Sequence, residues 1–221
     1  MARLVTALLV RNEADKYLDR VLRRCLEFSD EVVVLDDGST DDSVAIAKQL
    51  GCVVRERGET LPMWGDEAPA RAELWDLGAK AAGDGWLLIC DADMILNGDP
   101  RPLTLSTNCT AWAWVLYDVW DEEHLYRCDG YWQGHLHPRP WMYRPSALQE
   151  PPIWPRKGIH TGHAPLNFPY NVTGVTQEYD VSWSHLSFLR RIDRLKKVSQ
   201  YESQAHQLNE WELAHARSVG D

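Results

Sequence analysis

The residues with the clearest chemical potential are two carboxylates separated by one small residue. Asp91 and Asp93 follow residues 86–90, a short apolar run with the pattern of a buried β-strand. In extended backbone, residues two apart point to the same side, so both carboxylates can face one site. Hard oxygen donors suit Mg²⁺ or Mn²⁺, which keep their other positions for water and substrate phosphates. The pattern therefore predicts a divalent cation site, although such a pair also occurs in plain strand-end turns.

Polar residues also follow the first two apolar runs of the chain. Arg11 and Glu13 come after the first run, and Asp36 and Asp37 come after the second. In doubly wound sheets, ligands bind beyond the carboxyl ends of the strands. We therefore expect these side chains to lie at the same edge as the carboxylate pair. The alternatives are a turn and helix N-cap for the two aspartates and a surface position for Arg11.

The order of apolar and amphipathic segments predicts an α/β fold. Continuous apolar runs are typical of strands buried on both faces of a sheet, and apolar residues three and four apart are typical of helices. Strand patterns cover residues 4–10, 31–35, 52–55 and 86–90, and helical patterns between them include residues 17–26, 44–47 and 70–81. Asn12 is available as an N-cap of the first helix. This alternation predicts right-handed crossovers and a doubly wound, mostly parallel sheet.

Beyond residue 99 the pattern changes, because eight prolines lie between residues 100 and 155. Proline is confined to strand edges and turns, so this half is predicted to be irregular or antiparallel. Strand patterns remain at residues 111–117 and 141–144. A helical pattern returns at residue 186, with Leu189 and Ile192 on its apolar side.

The composition is that of an ordinary soluble protein. Of the 221 residues, 44% are hydrophobic and 25% are charged, which excludes a disordered chain. The N-terminal apolar run is too short to span a bilayer and is not followed by a cleavage pattern of small residues. The formal net charge of -10 disfavours broad, non-specific nucleic-acid binding. Five scattered cysteines favour a reducing, cytoplasmic location.

Three motifs together resemble the family 2 glycosyltransferases of GT-A fold. They read L-V-R-N-E-A, V-V-V-L-D-D-G-S-T-D-D-S and A-R-A-E-L-W-D-L-G-A-K-A-A-G-D-G-W-L-L-I-C-D-A-D-M, and the resemblance is dense over residues 4–96. It implies a nucleotide-sugar donor (a UDP- or GDP-sugar), Mn²⁺ or Mg²⁺, and transfer of a hexosyl group to an acceptor hydroxyl with inversion. The predicted single domain of residues 1–221 then comprises a nucleotide-sugar-binding half (1–99), an acceptor-side half (100–185) and a C-terminal helical segment (186–221).

The resemblance also implies roles for donor-side residues. Asp37 would contact the nucleobase or ribose, and Asp36 would support that turn. Arg11 and Glu13 would line the nucleotide pocket. Arg71, which matches an arginine ahead of the carboxylate pair, would face the diphosphate; alternatively, it pairs with a neighbouring glutamate on a solvated helix face.

The metal ligands follow from the same resemblance. Asp91 would contact the ribose or the metal, and Asp93 would contact the metal. An imidazole is a reasonable third ligand, since a neutral ring nitrogen suits Mn²⁺. His185 is the first choice, because S-H-L-S-F and the basic segment after it resemble one branch of the family. His160 or His163 is the alternative.

Inversion requires a general base within hydrogen-bond reach of the acceptor hydroxyl. Spacing alone does not choose among the carboxylates of the acceptor-side half, and we name Asp118 or Asp121 as the predicted base. The other candidates are Glu122, Asp129 and Glu150. Aromatic residues of this half, including Trp112 and Trp114, either stack on sugar rings or pack in the core.

The acceptor stays open between a glycan, a lipid-linked precursor, a polypeptide, another small molecule and a hydroxymethylated base in phage-type DNA. A basic cluster at residues 190–197 can bind a diphosphate, an anionic lipid surface or a nucleic acid, or it is a solvated helix face.

Two other functions are considered. The first is a sugar-phosphate nucleotidyltransferase, which the sequence does not favour because it lacks a glycine-rich N-terminal loop. The second is a non-catalytic carbohydrate-binding module, which would not explain the acidic side chains that follow two of the predicted strands.

Overall fold

Strands and helices alternate through the first half of the chain, as the apolar pattern predicts. The computed structural model describes residues 1–58, 66–120, 126–155, 162–170, 173–176, 180–203, 214 and 218–219. Its first elements are β1 (Leu4–Val10), α1 (Leu18–Phe28), β2 (Glu31–Asp36), α2 (Ser43–Gln49), β3 (Val53–Glu56), α3 (Ala68–Ala82) and β4 (Trp86–Asp91). These bounds follow the predicted ones closely because each element has a clear local period.

Burial explains why β1 is apolar throughout. All seven of its residues are buried, and alternate side chains enter two different cores. Leu4 and Leu8 pack in the core that contains the apolar face of α1, whereas Val5 and Leu9 pack in the core that contains the apolar residues of α3. Helices therefore cover both faces of the strand.

The second half contains shorter elements. They are β5 (Met94–Gly98), β6 (Ala111–Trp114), β7 (Leu116–Asp118), β8 (Arg139–Tyr143), β9 (Thr173–Val175), β10 (Val181–His185) and α4 (Arg191–Ser203), with 3₁₀ helices at Arg101–Leu105 and Pro145–Ala147. The apolar pattern does not mark β5 or β9, because three to five residues carry too little periodicity to stand out.

Two sheets organise these strands. The larger has the order β3–β2–β1–β4–β8–β6–β9, in which β1 to β4 run parallel and β8 is antiparallel to both β4 and β6. The smaller has the order β5–β10–β7, with β10 antiparallel to β5 and parallel to β7. The predicted α/β class with a mostly parallel sheet is confirmed. In the second half, β8 is antiparallel to its neighbours and β10 is antiparallel to β5, whereas β9 pairs parallel with β6 and β10 parallel with β7.

The prediction of one strand over residues 111–117 is wrong. The segment divides at Val115: β6 pairs with β8 in the larger sheet, and β7 pairs with β10 in the smaller sheet. The amide of Trp183 donates to the Val115 carbonyl oxygen at 3.0 Å, so the chain changes sheets at this residue. A local apolar pattern does not distinguish one continuous strand from two strands with different partners.

Two helix predictions also need correction. α1 begins at Leu18, so Asn12 is not its N-cap; Asn12 instead has a φ of 54° and its side-chain oxygen accepts from the Thr40 amide at 2.8 Å. α4 begins at Arg191, five residues after the predicted start, and Ile192 is 55% exposed. The apolar side predicted for this helix is thus partly in contact with solvent.

Most tryptophans belong to the core. Trp75, Trp86, Trp114, Trp132, Trp141 and Trp183 are all buried. Core packing therefore accounts for these rings. Trp112 is only partly buried, and its indole nitrogen donates to the Leu103 carbonyl oxygen at 3.1 Å.

Within the described ranges, every helix is too short or too polar to cross a membrane.

Candidate active site

The carboxyl ends of β1, β2 and β4 lie side by side. Their registers pair Val10 with Asp36 and Leu9 with Asp91. Parallel strands that end together bring the residues after them to one edge of the sheet. Hydrogen bonds across this edge then join the residues after β1 to those after β2.

Asp37 is fully buried between two guanidinium groups. Arg11 Nη1 lies 3.2 Å from one of its carboxylate oxygens, and Arg57 pairs with the other. Arg57 also donates from Nε to Glu73 at 2.9 Å. Burial of a carboxylate is costly unless charges compensate it, which explains why two arginines converge there. Arg57 was not predicted; its only sequence signal is its place just after β3.

Asp36 closes the turn that follows β2. Its Oδ2 accepts hydrogen bonds from the amides of Gly38 at 3.1 Å and Ser39 at 3.0 Å. Its Oδ1 is buried and has no hydrogen-bond partner among the described residues. These contacts agree with the predicted support of the turn.

Glu13 lies in the loop after β1 with most of its carboxyl group buried. Its amide donates to Ser43 Oγ at 2.8 Å, and Lys16 Nζ donates to its carboxylate at 2.9 Å. Burial raises the pKa of Glu13 to about 7; the nearby charge of Asp93 adds to the rise, and Lys16 opposes it. The carboxyl group is therefore poised between its two protonation states near neutral pH.

Arg71 lies buried on the first turn of α3, not on a solvated helix face. Its Nε donates to Glu67 at 2.7 Å, and its Nη2 lies 3.0 Å from Asp91 Oδ1. Its Nη1 is buried and has no hydrogen-bond partner among the described residues. Burial opposes the charge of Arg71, but Asp91 and Glu67 outweigh it and raise the pKa of the guanidinium further.

Asp91 ends β4 between the side chains of Arg71 and His163. Its Oδ1 is bound by Arg71, and its Oδ2 lies 3.3 Å from His163 Nε2. Burial alone would raise the pKa of this carboxyl, but the charges of Arg71 and His163 hold it well below its usual range. Both carboxylate oxygens of Asp91 are thus engaged within the protein.

Asp93 lies in a turn, so the premise of extended backbone from Asp91 to Asp93 is wrong. Ala92 and Asp93 form the turn between β4 and β5, because the chain must reverse into the smaller sheet. Ser187 Oγ donates to Asp93 Oδ2 at 2.5 Å, and Asp93 Oδ1 is buried with no hydrogen-bond partner in the described part of the chain. Burial would raise the pKa of Asp93, but His185 lowers it below its usual range.

His185 connects Asp93 to Asp118. Its Nε2 lies 3.5 Å from Asp93 Oδ2, and its Nδ1 lies 2.7 Å from Asp118 Oδ1. The register of β10 and β7 pairs His185 directly with Asp118, which fixes this contact. Although burial opposes the imidazolium, the two carboxylates raise the pKa of His185 to about 9.

The donor chemistry at Asp93 and His185 fits a divalent cation. The unpartnered Oδ1 of Asp93 is a hard oxygen donor, and Asp118 holds the His185 ring as carboxylates hold metal-binding histidines elsewhere. No group of three or more His, Cys, Asp or Glu side chains with ligand spacing occurs among the described residues. Mg²⁺ and Mn²⁺ commonly take one or two carboxylates and leave the other positions to water and phosphates. The predicted ligand His160 and the predicted base Asp121 lie outside the described residues.

The fold of this chain is the GT-A fold of the glycosyltransferases to which its structure is similar. Residues 7–101 match the family model described as Glycosyl transferase family 2, and this segment contains the end of β1 and all of β2 to β5. The predicted resemblance is confirmed for this part of the chain. A comparison with curated proteins gave no match.

Solved structures with the same fold include glucosyl-3-phosphoglycerate synthase from Mycobacterium tuberculosis. Its complex with Mn²⁺ and UDP-glucose is 18% identical, with a TM-score of 0.56, over 95% of this chain and 81% of that chain. Its complex with Mn²⁺, UDP and glucosyl-3-phosphoglycerate is 19% identical, with a TM-score of 0.55, over 95% and 82%. A structure titled as that of a mycobacterial protein is 16% identical, with a TM-score of 0.55, over 94% and 76%.

Proposed function

We propose that this protein is a metal-dependent, inverting glycosyltransferase that moves a hexosyl group from a UDP- or GDP-sugar to an acceptor hydroxyl. The observation that carries the proposal is the chain of contacts Asp118–His185–Asp93 beside the Asp91–Arg71 pair. It brings metal-ligand chemistry and a buried guanidinium to one edge of a GT-A sheet. The similar enzyme from M. tuberculosis was crystallised with Mn²⁺ and UDP-glucose, which supports this choice of donor and cation.

The nucleotide would bind over the ends of β1 and β2. Asp37 would contact the nucleobase or ribose, held in place by Arg11 and Arg57, while Asp36 keeps the turn closed. Glu13 would line the same pocket. In this proposal the chain is one domain, in which residues 1–99 bind the donor, residues 100–185 form the acceptor side and residues 186–221 add a helical segment.

The diphosphate would lie between Arg71 and the cation-binding residues. Asp93 and His185 would hold Mn²⁺ or Mg²⁺, while Asp91, bound by Arg71 and His163, would contact the ribose or the metal. A bound divalent cation supplies charge neutralisation for the leaving diphosphate. Arg71 Nη1, buried and without a partner in the described residues, is available to a phosphate oxygen.

Transfer with inversion is a single displacement. The acceptor oxygen bonds to the anomeric carbon, the bond from that carbon to the β-phosphate oxygen breaks with its electron pair, and the acceptor proton passes to a base. Asp118 and Asp121 remain the predicted bases. Asp118 Oδ1 contacts His185, and Oδ2 of the same carboxylate would take the acceptor proton.

The acceptor is proposed by class. The similar enzyme from M. tuberculosis was crystallised with phosphoglyceric acid, which is a small anionic molecule. For this chain we propose a saccharide or another small molecule, with a hydroxymethylated base in DNA as the alternative. The formal net charge of -10 favours a small acceptor over a polyanion.

The test is a panel of UDP- and GDP-sugars assayed for hydrolysis or transfer with Mn²⁺, with Mg²⁺ and with EDTA. We expect turnover of at least one donor only with a divalent cation. Asp93→Asn should lower this turnover by about 100-fold or more, because the site loses a charged ligand worth several kcal/mol. Asp19→Asn, on the exposed side of α1, is the matched control and should be unchanged. Full turnover by Asp93→Asn would refute the metal site, and turnover of no donor would refute the function.

A further inference from the structure

Lys197 lies at the edge of the candidate site on α4. Its ammonium nitrogen lies 4.6 Å from the centroid of the Phe188 ring, and the Phe188 ring lies 5.2 Å from the His185 ring. The residue is half-buried, unlike its neighbour Lys196, which is exposed. The Lys197 ammonium is therefore separated from a predicted metal ligand by one aromatic ring.

The charge of Lys197 acts on two carboxylates of the site. It lowers the pKa of Asp93, in the turn after β4, and it opposes the rise in the pKa of Glu13, in the loop after β1. These residues belong to different elements, and the space between them lies within electrostatic reach of the ammonium. That space is where the nucleotide diphosphate would lie.

The arginines of the candidate site and of α4 already pair with protein groups, although Arg71 Nη1 has no partner among the described residues. The pairs are Arg71 with Glu67 and Asp91, Arg11 with Asp37, Arg190 with Asp193, and Arg194 with the carbonyl oxygens of Trp120, Phe188 and Leu189. Lys197 makes no ion pair or hydrogen bond with any described residue; its contact is the cation–π contact with Phe188. A half-buried ammonium without an anionic partner is ready to bind one.

We propose that Lys197 binds the diphosphate of the nucleotide-sugar donor and stabilises it as the leaving group, which deepens and rests on the proposed function. When the bond between the anomeric carbon and the β-phosphate oxygen breaks, the electron pair stays on that oxygen. The Lys197 ammonium supplies a compact positive charge and three N–H donors for the phosphate oxygens. The acceptor oxygen forms the new bond, and its proton goes to the base.

The experiment compares Lys197→Met with Lys196→Met. Methionine keeps an unbranched apolar chain over Phe188 and removes only the charge. Binding is measured calorimetrically with UDP and uridine, and with GDP and guanosine, each in Mn²⁺ and in EDTA. We expect Lys197→Met to weaken nucleoside diphosphate binding about tenfold or more in both conditions, because a charged hydrogen bond is lost. Nucleoside binding, which involves no phosphate, should not change.

Two further measurements separate charge from structure. Lys197→Arg should restore the affinity for the diphosphate to within about threefold of wild type, since it keeps the positive charge. Lys196→Met should match wild type. Equal diphosphate affinity in Lys197→Met and Lys196→Met, or equal losses of nucleoside and diphosphate binding, would overturn the inference alone. A wild-type protein that binds no nucleotide would overturn the proposed function as well.

Discussion

The carboxylates of the site differ in the groups that neutralise them. Asp91 is paired with Arg71 and His163, whereas Asp93 is paired with His185 and accepts from Ser187. A fixed guanidinium cannot be displaced without leaving a buried charge unpaired. An imidazole can lose its proton and become a ligand. This difference favours Asp93 over Asp91 as the residue that holds the cation.

At the residue scale, Asp118→Asn tests what the contact with His185 does. In the proposed site, the carboxylate would hold the proton on Nδ1 of His185, so that Nε2 could bind the metal once its own proton is lost. Replacement by the amide should weaken Mn²⁺ binding in the absence of nucleotide by about 10- to 100-fold, which is the usual effect of losing such a partner. The measurement is electron paramagnetic resonance of free Mn²⁺ during titration of the protein.

The same variant distinguishes the positioning role from the role of base. If Asp118 acts only as the base, Asp118→Asn keeps its Mn²⁺ affinity and donor hydrolysis but loses transfer to the acceptor. Asp129→Asn, an exposed substitution in the same half of the chain, is the control and should leave Mn²⁺ affinity at the wild-type value.

At the element scale, the site depends on how β10 is held between β5 and β7. His185 reaches Asp93 because β10 pairs with β5 in antiparallel register, with Val181 opposite Gly98. Gly98 has a φ of 75°, and a Cβ there would overlap the carbonyl oxygen of Asp180. The close approach of these two backbones is possible only with glycine.

Gly98→Ala should therefore loosen the smaller sheet. Gly51→Ala is its matched control, since Gly51 has a φ of 85° and open space around its Cβ position. Gly51→Ala carries only the backbone strain of about 1 kcal/mol, and Gly98→Ala should cost about 1–3 kcal/mol more. Urea unfolding of both variants measures the difference. Equal losses would show that the backbone around Asp180 adjusts without cost.

At the scale of the whole molecule, an acidic chain brings several partly buried carboxyl groups together in one place. The formal net charge is -10, and Glu13, Asp91 and Asp93 lie within electrostatic reach of one another. Global stability should therefore depend on pH through these groups. Glu13 differs from the two aspartates because its pKa is raised and theirs are lowered.

The pH dependence of unfolding tests the environment of Glu13. Its pKa rises from 4.5 in the unfolded chain to about 7 in the folded protein, so folding favours the protonated carboxyl. The contribution of Glu13 to the free energy of unfolding is fully present below the pKa of the unfolded state, and it is lost as the pH rises through the pKa of the folded state. In EDTA, the wild-type free energy of unfolding should fall by about 1–3 kcal/mol relative to Glu13→Gln between these two pKa values.

The comparison has an internal control. Glu27→Gln, which replaces an exposed carboxyl on α1, should follow the wild-type pH dependence. If the wild-type protein and Glu13→Gln change in parallel across the same range, the carboxyl of Glu13 is not desolvated. His185, whose pKa is raised to about 9, acts at higher pH and in the same direction, because its stabilising charge is lost as pH rises.

Local patterns in the sequence determined the donor half. The strands β1 to β4 follow from continuous apolar runs and the helices between them from an apolar period of 3.6 residues, and both patterns depend only on neighbouring residues. Because parallel strands end at one edge, the same patterns bring Asp36, Asp37 and Asp91 together. The resemblance to family 2 glycosyltransferases was also visible in the sequence, because the motifs of that family lie in these short segments.

Only the tertiary structure decided which side chains meet across the site. Asp118 and His185 are 67 residues apart, His163 and Asp91 are 72 apart, and Ser187 and Asp93 are 94 apart. These contacts depend on the order β5–β10–β7 and on the turn at Asp93, and short strands carry no local pattern that specifies their partners. The physical reason is that periodicity reports which face a residue lies on, whereas pairing between distant segments follows from the packing of the whole chain.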